Sequence, residues 1–374
     1  MNIDKKLGFG LMRLPLTDAD DNTKIDYDTV KGMADKFISE GFTYFDTAAP
    51  YHKSTSEIVF RECVAKRYPR SAYLLADKLS IFMIEKAEDI PGFFASQLER
   101  CGVDYFDYYL LHAMSKERLD KCEAFGAFDF VSKMKAEGKI KHVGFSFHDT
   151  PEALEEILEK HPEMEFVQLQ INYMDWEAPD VESRRCYEIC KKHNKPVIVM
   201  EPVKGGLLVN MPKEAEMLIK DREPSMSTAS WAIRYAASLD NVFMVLSGMS
   251  DMGQMEDNIS FMKDFKPLTE NEKELVARVA EIIKSKEHVA CTACRYCVDG
   301  CPMNIPIPDI FKLVNKVSMF GEAQLASAKA SYENTTKEKG KASSCIACGQ
   351  CEGQCPQHLT IIDYLREAAG MLEQ

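Results

Sequence analysis

Short apolar runs alternate with amphipathic stretches along residues 1–265. The apolar runs predict eight strands, at residues 8–14, 42–47, 73–78, 107–112, 142–146, 166–170, 196–201 and 242–247. Amphipathic periodicity predicts helices near residues 29–40, 57–65, 91–101, 125–137, 151–160, 182–193 and 228–238. Near-continuous apolar strands separated by helices are typical of a parallel sheet whose faces are covered. Eight such strands in this length favour an α/β fold of the (β/α)8 barrel type over an open sheet.

Four polar side chains stand at or just after the ends of three consecutive predicted strands. Asp46 and Tyr51 follow the second strand, Lys78 ends the third, and His112 ends the fourth. In this kind of barrel the carboxyl ends of the strands meet at one rim, where catalytic residues gather. An aspartate at a strand end is often a cap, and a single histidine is more often structural than catalytic. Four such groups at matching strand ends nevertheless predict a polar cluster at the barrel mouth.

A second, smaller domain is predicted from residue 266 to residue 374, after a barrel of residues 1–265. Thr269 and Glu272 have the spacing of a capping box, which predicts a helix over residues 269–286. Two further helices are predicted at 310–319 and 322–332, followed by a charged loop at 334–341. This insert is longer than two cysteine-rich loops require, so we expect its helices to pack against the barrel or a partner.

Two cysteine runs with identical spacing flank these helices. Each run reads C-x2-C-x2-C-x3-C-P, at residues 291–302 and 345–356. Paired C-x2-C units can also hold zinc, and cysteines of secreted chains form disulfides, so zinc sites and disulfides are the alternatives to iron–sulfur clusters. Four cysteines followed by proline resemble the runs of two-cluster bacterial ferredoxins, and this resemblance predicts two [4Fe–4S] clusters.

The ferredoxin resemblance also implies which thiolates share a cluster. In such proteins the first three cysteines of a run hold one cluster, and the fourth reaches across to the other. One cluster is therefore expected on Cys291, Cys294, Cys297 and Cys355. The other is expected on Cys345, Cys348, Cys351 and Cys301.

Net charge and cysteine content narrow the choice of partners and compartment. The formal net charge is −13 and the pI is about 5.2, which disfavours nucleic acid and anionic membrane surfaces. We find no N-terminal signal pattern, and no apolar run approaches the ~18 residues of a membrane span. Thirteen cysteines, eight of them in the two runs, favour a reducing cytoplasm. The remaining five are expected to be small buried apolar side chains: Cys63, Cys101, Cys122, Cys186 and Cys190.

The barrel portion resembles the aldo-keto reductases over about residues 1–260. The residues that carry the resemblance are Gly8, Gly10 and Arg13, the stretch from Asp46 to Tyr51, Lys78, His112, the stretch from Gly138 to Ser146, Gln168, Asn172 and Tyr173. The resemblance implies a (β/α)8 barrel that reduces aldehydes or ketones with NADPH.

The resemblance also assigns a role to each of the four polar residues. Tyr51 would be the general acid that protonates the developing alkoxide, and Lys78 would lower the pKa of its phenol by a nearby positive charge. Asp46 would pair with Lys78 and orient it. His112 would donate a hydrogen bond to the carbonyl oxygen of the substrate.

A binding site for NADPH or NADH is a further implication of the resemblance. The residues expected to contact the nucleotide are Ser146, Gln168, Gly248, Gln254 and Asn258. Three positions depart from the family pattern: Phe147 replaces a carboxamide-binding asparagine, Met200 replaces a stacking aromatic residue, and Gln254 replaces an arginine that often meets the 2′-phosphate. Lys204 is a candidate to supply the positive charge that Gln254 lacks.

Three functions are compatible with the sequence. In the first, the barrel exchanges a hydride between a nicotinamide and a small carbonyl or alcohol substrate, while the clusters exchange electrons with a redox protein partner. In the second, a ferredoxin-type electron-transfer protein uses the barrel as a docking scaffold. In the third, cluster electrons reduce a bound substrate without a nicotinamide. A hydride carries two electrons and each cluster carries one, and the usual adaptor is a flavin, for which the sequence has no signature that we recognise.

Overall fold

A computed structural model describes residues 5–19, 21–178, 181–286, 288–320 and 322–374. The chain forms two compact units. The first, called the barrel unit, comprises Met1–Pro202 and Ala232–Leu268. The second, called the C-terminal unit, comprises Val203–Trp231 and Thr269–Gln374. Among the described residues, no helix is both long enough and apolar enough to cross a membrane.

Eight parallel strands close into a barrel in their sequence order. Their bounds are Leu7–Gly10 (β1), Tyr44–Asp46 (β2), Leu74–Leu79 (β3), Phe106–Met114 (β4), Ile140–Phe147 (β5), Phe166–Gln170 (β6), Val197–Met200 (β7) and Val242–Gly248 (β8). The barrel closes where β1 pairs with β8, with Gly10 opposite Gly248. Each strand overlaps one that the sequence predicts, and the (β/α)8 fold is confirmed.

Alternate residues of the strands point into the barrel, so its interior can be followed two residues at a time. One buried apolar layer includes Tyr44, Ala76, Leu110, Phe166 and Leu246. The positions two residues further along the same five strands are Asp46, Lys78, His112, Gln168 and Gly248. The polar rim therefore lies directly above the apolar layer, one inward-facing residue further along each strand.

Gly144 of β5 lies in the apolar layer because a side chain would not fit there. A Cβ atom at this position would lie 2.4 Å from the Phe166 carbonyl oxygen and 2.7 Å from its ring. Separations below about 3 Å do not occur between such atoms, so glycine allows β5 and β6 to pair closely. Two residues later, Ser146 reaches the rim.

Ten helices of the described chain precede residue 265. They are Tyr27–Ser39 (α1), Ser56–Phe60 (α2), Ile90–Cys101 (α3), Lys116–Ala124 (α4), Ala127–Ala136 (α5), Pro151–Lys160 (α6), Ser183–Lys192 (α7), Lys213–Arg222 (α8), Thr228–Ala237 (α9) and Met252–Met262 (α10). The helix predicted at 125–137 is shorter, because Gly126 adopts φ +65° and separates α5 from α4. Apolar periodicity did not reveal α4 or α8.

The described part of the C-terminal unit continues with five helices. They are Glu270–Lys284 (α11), Ile307–Phe320 (α12), Leu325–Thr336 (α13), Gln350–Gly353 (α14) and Ile361–Leu372 (α15). The capping box of Thr269 and Glu272 is present at the start of α11. The predicted loop at 334–341 is shorter than expected, because α13 extends to Thr336. Helices α12, α13 and α15 pack against one another, and the core includes Phe311, Tyr332 and Leu365.

Candidate active site and cluster-binding sites

Lys78 is the centre of the polar rim, and it is fully buried in β3. Its Nζ donates hydrogen bonds to Asp46 Oδ1 at 2.6 Å and to the Thr47 carbonyl oxygen at 2.8 Å. A third separation of 3.3 Å joins Nζ to the phenol oxygen of Tyr51. Burial raises the pKa of Asp46, and the charge of Lys78 opposes this effect only in part. The structure therefore brings three of the four predicted catalytic residues around one ammonium group.

Tyr51 reaches this lysine from a tight 3-10 turn, Tyr51–Ser54, that follows β2. The last three residues of the turn have positive φ, which non-glycine residues adopt rarely. His52 holds the turn in place, because its Nε2 accepts from the Leu14 amide at 3.2 Å and its Nδ1 lies 2.7 Å from the Asn22 carbonyl oxygen. His52 was not predicted, and no strand or helix pattern marks it.

The pKa of the Tyr51 phenol is raised well above its usual range. Burial is the main cause, and the carboxylates of Asp46, Asp77 and Glu201 add to it. This net direction does not test the expected opposing contribution of the Lys78 charge, which stays a prediction. Burial and the three carboxylates outweigh any such contribution in the chain by itself. Tyr51 consequently keeps its proton at neutral pH, which is the form that a general acid requires.

His112, the fourth predicted catalytic residue, lies on β4 with its ring centroid 6.1 Å from that of Tyr51. Its Nδ1 lies 2.7 Å from the Ser80 hydroxyl oxygen. Burial lowers the pKa of His112 well below its usual value, and nearby Lys78 and Arg118 act in the same direction. A neutral imidazole that accepts from Ser80 at Nδ1 carries its hydrogen on Nε2, where it can donate to a substrate oxygen. Ser80 was not predicted, although it lies two residues after Lys78 and thus on the same side of the chain.

A buried acid pair lies behind Lys78, on the outward side of β3. Asp77 Oδ1 accepts from the Lys78 amide at 2.8 Å, and Gln97 Nε2 donates to the Lys78 carbonyl oxygen at 3.0 Å. The same Gln97 nitrogen is 3.1 Å from Glu57 Oε1 and from Asp77 Oδ1, and Arg100 Nε donates to Glu57. Burial, followed by the proximity of Glu57, raises the pKa of Asp77 well above its usual value. This acid network fixes the peptide groups on both sides of the Lys78 Cα.

The residues expected at the nicotinamide lie on β5 and β6 of the same rim. Ser146 is buried, and its Oγ accepts from the Ala113 amide at 2.7 Å, directly after His112. Gln168 is buried too, and its Nε2 donates to the Met200 sulfur at 3.4 Å. Its Oε1 is a buried acceptor without a hydrogen-bond partner among the described residues. A buried orphan acceptor is rare in proteins and fits the amide hydrogens of a nicotinamide carboxamide.

The segment after β8 carries the other three predicted nucleotide contacts. Gly248 lies against Arg13, whose side-chain carbons would be 3.2 Å from an added Cβ. The side-chain amide of Gln254, at the start of α10, makes local hydrogen bonds: its Oε1 accepts from the Ser250 amide and its Nε2 donates to Asp251. Asn258 is buried and donates to the Ser247 hydroxyl at 2.9 Å. These five nucleotide contacts stay predictions. Lys204, the candidate for the missing charge, is buried and belongs to the C-terminal unit.

The eight cysteines of the two runs line two separate cavities. The first cavity is lined by Cys291, Cys294, Cys297 and Cys355. The second is lined by Cys301, Cys345, Cys348 and Cys351. In each cavity the fourth cysteine comes from the other run, which is the grouping that the ferredoxin resemblance implies. The five cysteines outside the runs are buried, as expected.

The two runs share one backbone conformation at a constant offset of 54 residues. Residues with a left-handed backbone precede and follow the second cysteine of each run. They are Ala293 and Arg295 in the first run, and Ala347 and Gly349 in the second. Three residues after the last cysteine, Asn304 and His358 are left-handed as well. Helices α12 and α15 then begin at equivalent positions. Each site is thus one copy of a repeated loop-and-helix unit, completed by one cysteine of the other copy.

Each site contains at least one thiol whose pKa is raised in the chain alone. Burial raises the pKa of Cys351 to about 11 and also raises the pKa values of Cys297 and Cys355. Iron binds the thiolate, so metal binding at these residues releases protons. Sets of four cysteines facing one apolar cavity fit an iron–sulfur cluster, which thiolates hold and whose potential the apolar surroundings tune.

Comparisons with known proteins agree with this division of the chain. The model of the aldo/keto reductase family matches residues 6–282, and that of the 4Fe-4S dicluster domain matches residues 290–360. A probable aldo-keto reductase of Glycine max is 27% identical over 215 residues, which are 54% of this chain and 56% of that protein. The chain therefore spans little more than half of this relative. An uncharacterized oxidoreductase of Schizosaccharomyces pombe is 24% identical over 262 residues, or 68% of this chain and 80% of that protein.

Solved structures show the same barrel. An aldo-keto reductase of Bacillus halodurans in its holo form has a TM-score of 0.59 and 23% identity, and the match covers 73% of this chain and 91% of that one. An aldo-keto reductase of Klebsiella pneumoniae in complex with NADPH has a TM-score of 0.57 and 19% identity, with 74% and 90% covered. Because the family match extends over more than half of the chain, this protein belongs to the aldo/keto reductase family, as an oxidoreductase that also carries a 4Fe-4S domain.

Proposed function

We propose that this protein exchanges a hydride between NADPH or NADH and a small carbonyl or alcohol substrate at the barrel mouth. The observation that carries the proposal is the meeting of Asp46, Lys78 and Tyr51 around the lysine Nζ. The nicotinamide, when bound, supplies or accepts the hydride. The Klebsiella relative was solved with NADPH, which supports a nicotinamide at this site.

Tyr51 Oη holds the proton that the product alcohol needs. During reduction the carbonyl carbon gains the hydride pair, the C–O π bond breaks, and the oxygen takes the Tyr51 proton. The phenolate left behind is stabilised by Lys78 Nζ, 3.3 Å away, and is reprotonated from solvent because Tyr51 is only half-buried. In alcohol oxidation the same proton moves in the opposite direction.

His112 orients the substrate and stabilises charge on its oxygen. Neutral imidazole donates from Nε2 while Ser80 occupies Nδ1. A preorganised donor of this kind favours the transition state, in which the oxygen carries more negative charge than in the ground state. The unpaired Oε1 of Gln168 is suited to accept a hydrogen from the carboxamide, and the Ser146 hydroxyl is its neighbour on the next strand.

The eight cysteines of the C-terminal unit are proposed to hold two [4Fe–4S] clusters that exchange single electrons with a protein partner. The crossed grouping of cysteines in the two cavities supports this assignment. A cluster passes one electron at a time, whereas the barrel reaction moves two, so a partner that carries single electrons is the natural counterpart of the clusters.

The proposal is tested by titrating the reconstituted full-length protein anaerobically with NADPH and then with NADH. Nicotinamide fluorescence reports binding, and cluster absorbance reports electron exchange. Tyr51→Phe should lower carbonyl reduction by roughly 10²- to 10⁴-fold, the usual contribution of a general acid, without changing iron content. Tyr68→Phe is the matched control, because it removes a phenol that bonds to Asp35 of α1, away from the lysine.

Each outcome of this test has a definite meaning. Full activity of Tyr51→Phe would refute the assignment of the acid. Nucleotide binding with cluster bleaching would mean that the two chemistries are coupled, and binding without bleaching would mean that the clusters serve another reaction. Absence of binding by either nucleotide would refute the hydride proposal in favour of a scaffold or of a reductase that uses cluster electrons alone.

A further inference from the structure

The second cysteine cavity exposes side chains that the first keeps buried. Cys348 is exposed, and two apolar side chains of the same cavity, Met303 and Ile346, are 37% and 60% exposed. At the first cavity the apolar lining residues Phe311 and Leu359 are 0% and 9% exposed. Exposed apolar side chains grouped at a redox centre are a feature of interaction surfaces. The cluster at the second cavity is therefore the one that another protein can approach.

A lysine-rich loop lies directly beside this opening. Residues 337–341, called the lysine loop, read Lys-Glu-Lys-Gly-Lys and have a formal charge of +2, in a chain whose net charge is −13. The Gly340 amide donates to the Asn304 carbonyl oxygen at 3.0 Å. A Cβ on Gly340 would lie 2.1 Å from the Met303 carbonyl oxygen, so only glycine allows this approach. The lysine loop is thereby held against the segment that lines the second cavity.

The lysine loop is fixed at its C-terminal end, and its charges face solvent. The Ala342 amide donates to the Tyr332 hydroxyl at 2.8 Å, and the Ser344 amide donates to the Lys341 carbonyl oxygen at 3.0 Å, one residue before Cys345. Its three lysine side chains, Lys337, Lys339 and Lys341, are exposed. Glu373 already accepts from Tyr332 and from the Ser343 amide, so these two groups rather than a lysine are its hydrogen-bond donors. The lysines remain available to a partner.

We propose that Met303, Ile346 and the lysine loop form the docking surface for an acidic one-electron carrier protein of the ferredoxin type. This inference rests on the proposed function in one respect, namely that the second cavity holds a redox-active cluster. An apolar centre with a charged rim is the usual build of a protein interface. Opposite charges on the rim steer the encounter and orient the partner without making the complex long-lived, which suits electron transfer.

Other occupants of this surface fit the observations less well. A second copy of this chain is acidic, with a net charge of −13, and could contact the lysine loop. Over the rest of a large interface, however, the acidic surfaces of the two copies would repel each other. An anionic membrane attracts basic clusters by about 1 kcal/mol for each lysine or arginine, and stable binding uses four to eight of them. The lysine loop offers three, partly offset by Glu338. A small acidic protein needs only local complementarity.

The test measures association of the reconstituted full-length protein with an acidic two-cluster bacterial ferredoxin. Surface plasmon resonance is recorded at about 20 mM ionic strength, where the attraction between exposed charges is strong, and at about 500 mM, where salt screens it. The triple variant Lys337→Gln, Lys339→Gln, Lys341→Gln should bind roughly tenfold more weakly at low ionic strength, and the difference should vanish at high ionic strength. The matched control replaces three other exposed lysines by glutamine, Lys86, Lys266 and Lys284. It should change binding less than about twofold.

A second variant probes the apolar centre, and further readouts identify the occupant. Met303→Gln with Ile346→Gln should raise the dissociation rate at both ionic strengths, while Met217→Gln, at an exposed methionine outside this surface, should not. Stopped-flow bleaching of the clusters by the reduced ferredoxin should slow in parallel with binding, at unchanged iron content. Equal effects of the lysine triple and its control would overturn the proposal. So would stronger binding of basic cytochrome c, or lysine-dependent binding to anionic vesicles or to a second copy of the chain.

The design keeps failure of docking distinct from failure of the barrel reaction. Association requires no turnover, so a chain that binds the ferredoxin but does not reduce carbonyls refutes only the hydride proposal. A chain that shows Tyr51-dependent carbonyl reduction with NADPH but no lysine-dependent binding refutes only the docking surface.

Discussion

Replacing Asp77 by asparagine should leave the barrel at least as stable as before at neutral pH. Asp77 is fully buried, and its Oδ1 accepts from the Lys78 amide and from Gln97, while Cys101 Sγ donates to Oδ2 at 3.5 Å. An ionised Asp77 would face the carboxylate of Glu57 without water, and this is why its pKa is raised. A protonated aspartic acid and an asparagine have nearly the same shape, and both can donate a hydrogen to Glu57.

The expected changes in the free energy of unfolding differ between Asp77→Asn and Asp77→Ala. Asp77→Asn exchanges one neutral donor for another, so below about pH 4, where Asp77 is protonated in the folded and the unfolded chain, we expect it to cost at most about 1 kcal/mol in the free energy of unfolding. Asp77→Ala leaves the Lys78 amide, the Gln97 amide and Glu57 each short of a buried partner. At about 1–3 kcal/mol for an unsatisfied buried group, the alanine variant should lose about 3–5 kcal/mol. The gap between the two variants is therefore at least about 2 kcal/mol.

The pH dependence of stability provides an independent check. The raised pKa of Asp77 means that the folded chain holds this proton more tightly than the unfolded chain, whose aspartates titrate near pH 3.9. The stability that this proton contributes is complete below about pH 4 and is lost, by up to about 1.4 kcal/mol for each pH unit, as the pH rises toward the folded pKa. Asparagine does not titrate. The stability of Asp77→Asn relative to the wild type should therefore rise between about pH 5 and pH 8.

The assay is anaerobic urea unfolding of the reconstituted full-length protein at several pH values, with hydrogen exchange of the Lys78 amide as a local readout. Asp129→Asn, on the exposed face of α5, is the matched control for loss of a carboxylate. Steady-state kinetics add a functional readout, because a displaced Lys78 should lower kcat of Asp77→Ala more than it changes KM. The reasoning is refuted if Asp77→Asn loses as much stability as Asp77→Ala and keeps the wild-type pH slope.

Further predictions concern the imidazole, the phenol and the crossed cysteines. Ser80→Ala should lower kcat by about 3- to 10-fold, because Nδ1 of His112 loses the hydrogen bond that fixes its tautomer, whereas Ser80→Thr should restore kcat. Carbonyl reduction should lose no rate to ionisation of Tyr51 between about pH 7 and pH 9, since the raised pKa keeps the phenol protonated; a basic limb there that disappears in Tyr51→Phe would contradict this. Cys355→Ala should remove the same cluster signal in electron paramagnetic resonance as Cys294→Ala; loss of the signal that Cys348→Ala removes would contradict the crossed grouping.

The sequence predicts the barrel well because two kinds of pattern agree: the spacing of the apolar runs along the chain, and the two-residue alternation within each strand. Apolar runs give the strands, and the residues two positions beyond the apolar layer give Asp46, Lys78 and His112 at the rim. Register between parallel strands then brings these side chains together without further information, since the pleat fixes which residues face inward. The nucleotide site is less predictable, because Gln254 and Asn258 make local hydrogen bonds that no periodicity reveals.

The supporting residues around Lys78 escape prediction for a definite reason. Glu57, Asp77 and Gln97 belong to α2, β3 and α3, and they meet only after the helices have packed on the outside of the barrel. Each of them alone is an ordinary polar residue in its element. The segment after β7 is similar, because nothing in its composition indicates that it belongs to the C-terminal unit. There Gly205 lies so close to the Thr292 backbone that a Cβ would be 2.3 Å from its carbonyl oxygen.

In the cysteine repeat, the sequence predicts the backbone conformation that the two copies share, but not the side-chain contacts in which they differ. Equal spacing predicts equal backbones, and Arg295 and Gly349 are indeed both left-handed, at φ +70° and +79°. This conformation is free for glycine but costs an arginine about 1–2 kcal/mol. In the first copy, Arg295 also makes a two-pronged ion pair, donating to both oxygens of Asp309 at 2.9 and 2.8 Å. A repeat in sequence therefore specifies the shared backbone, and the side chains that differ between the copies leave more of the apolar lining exposed at the second site than at the first.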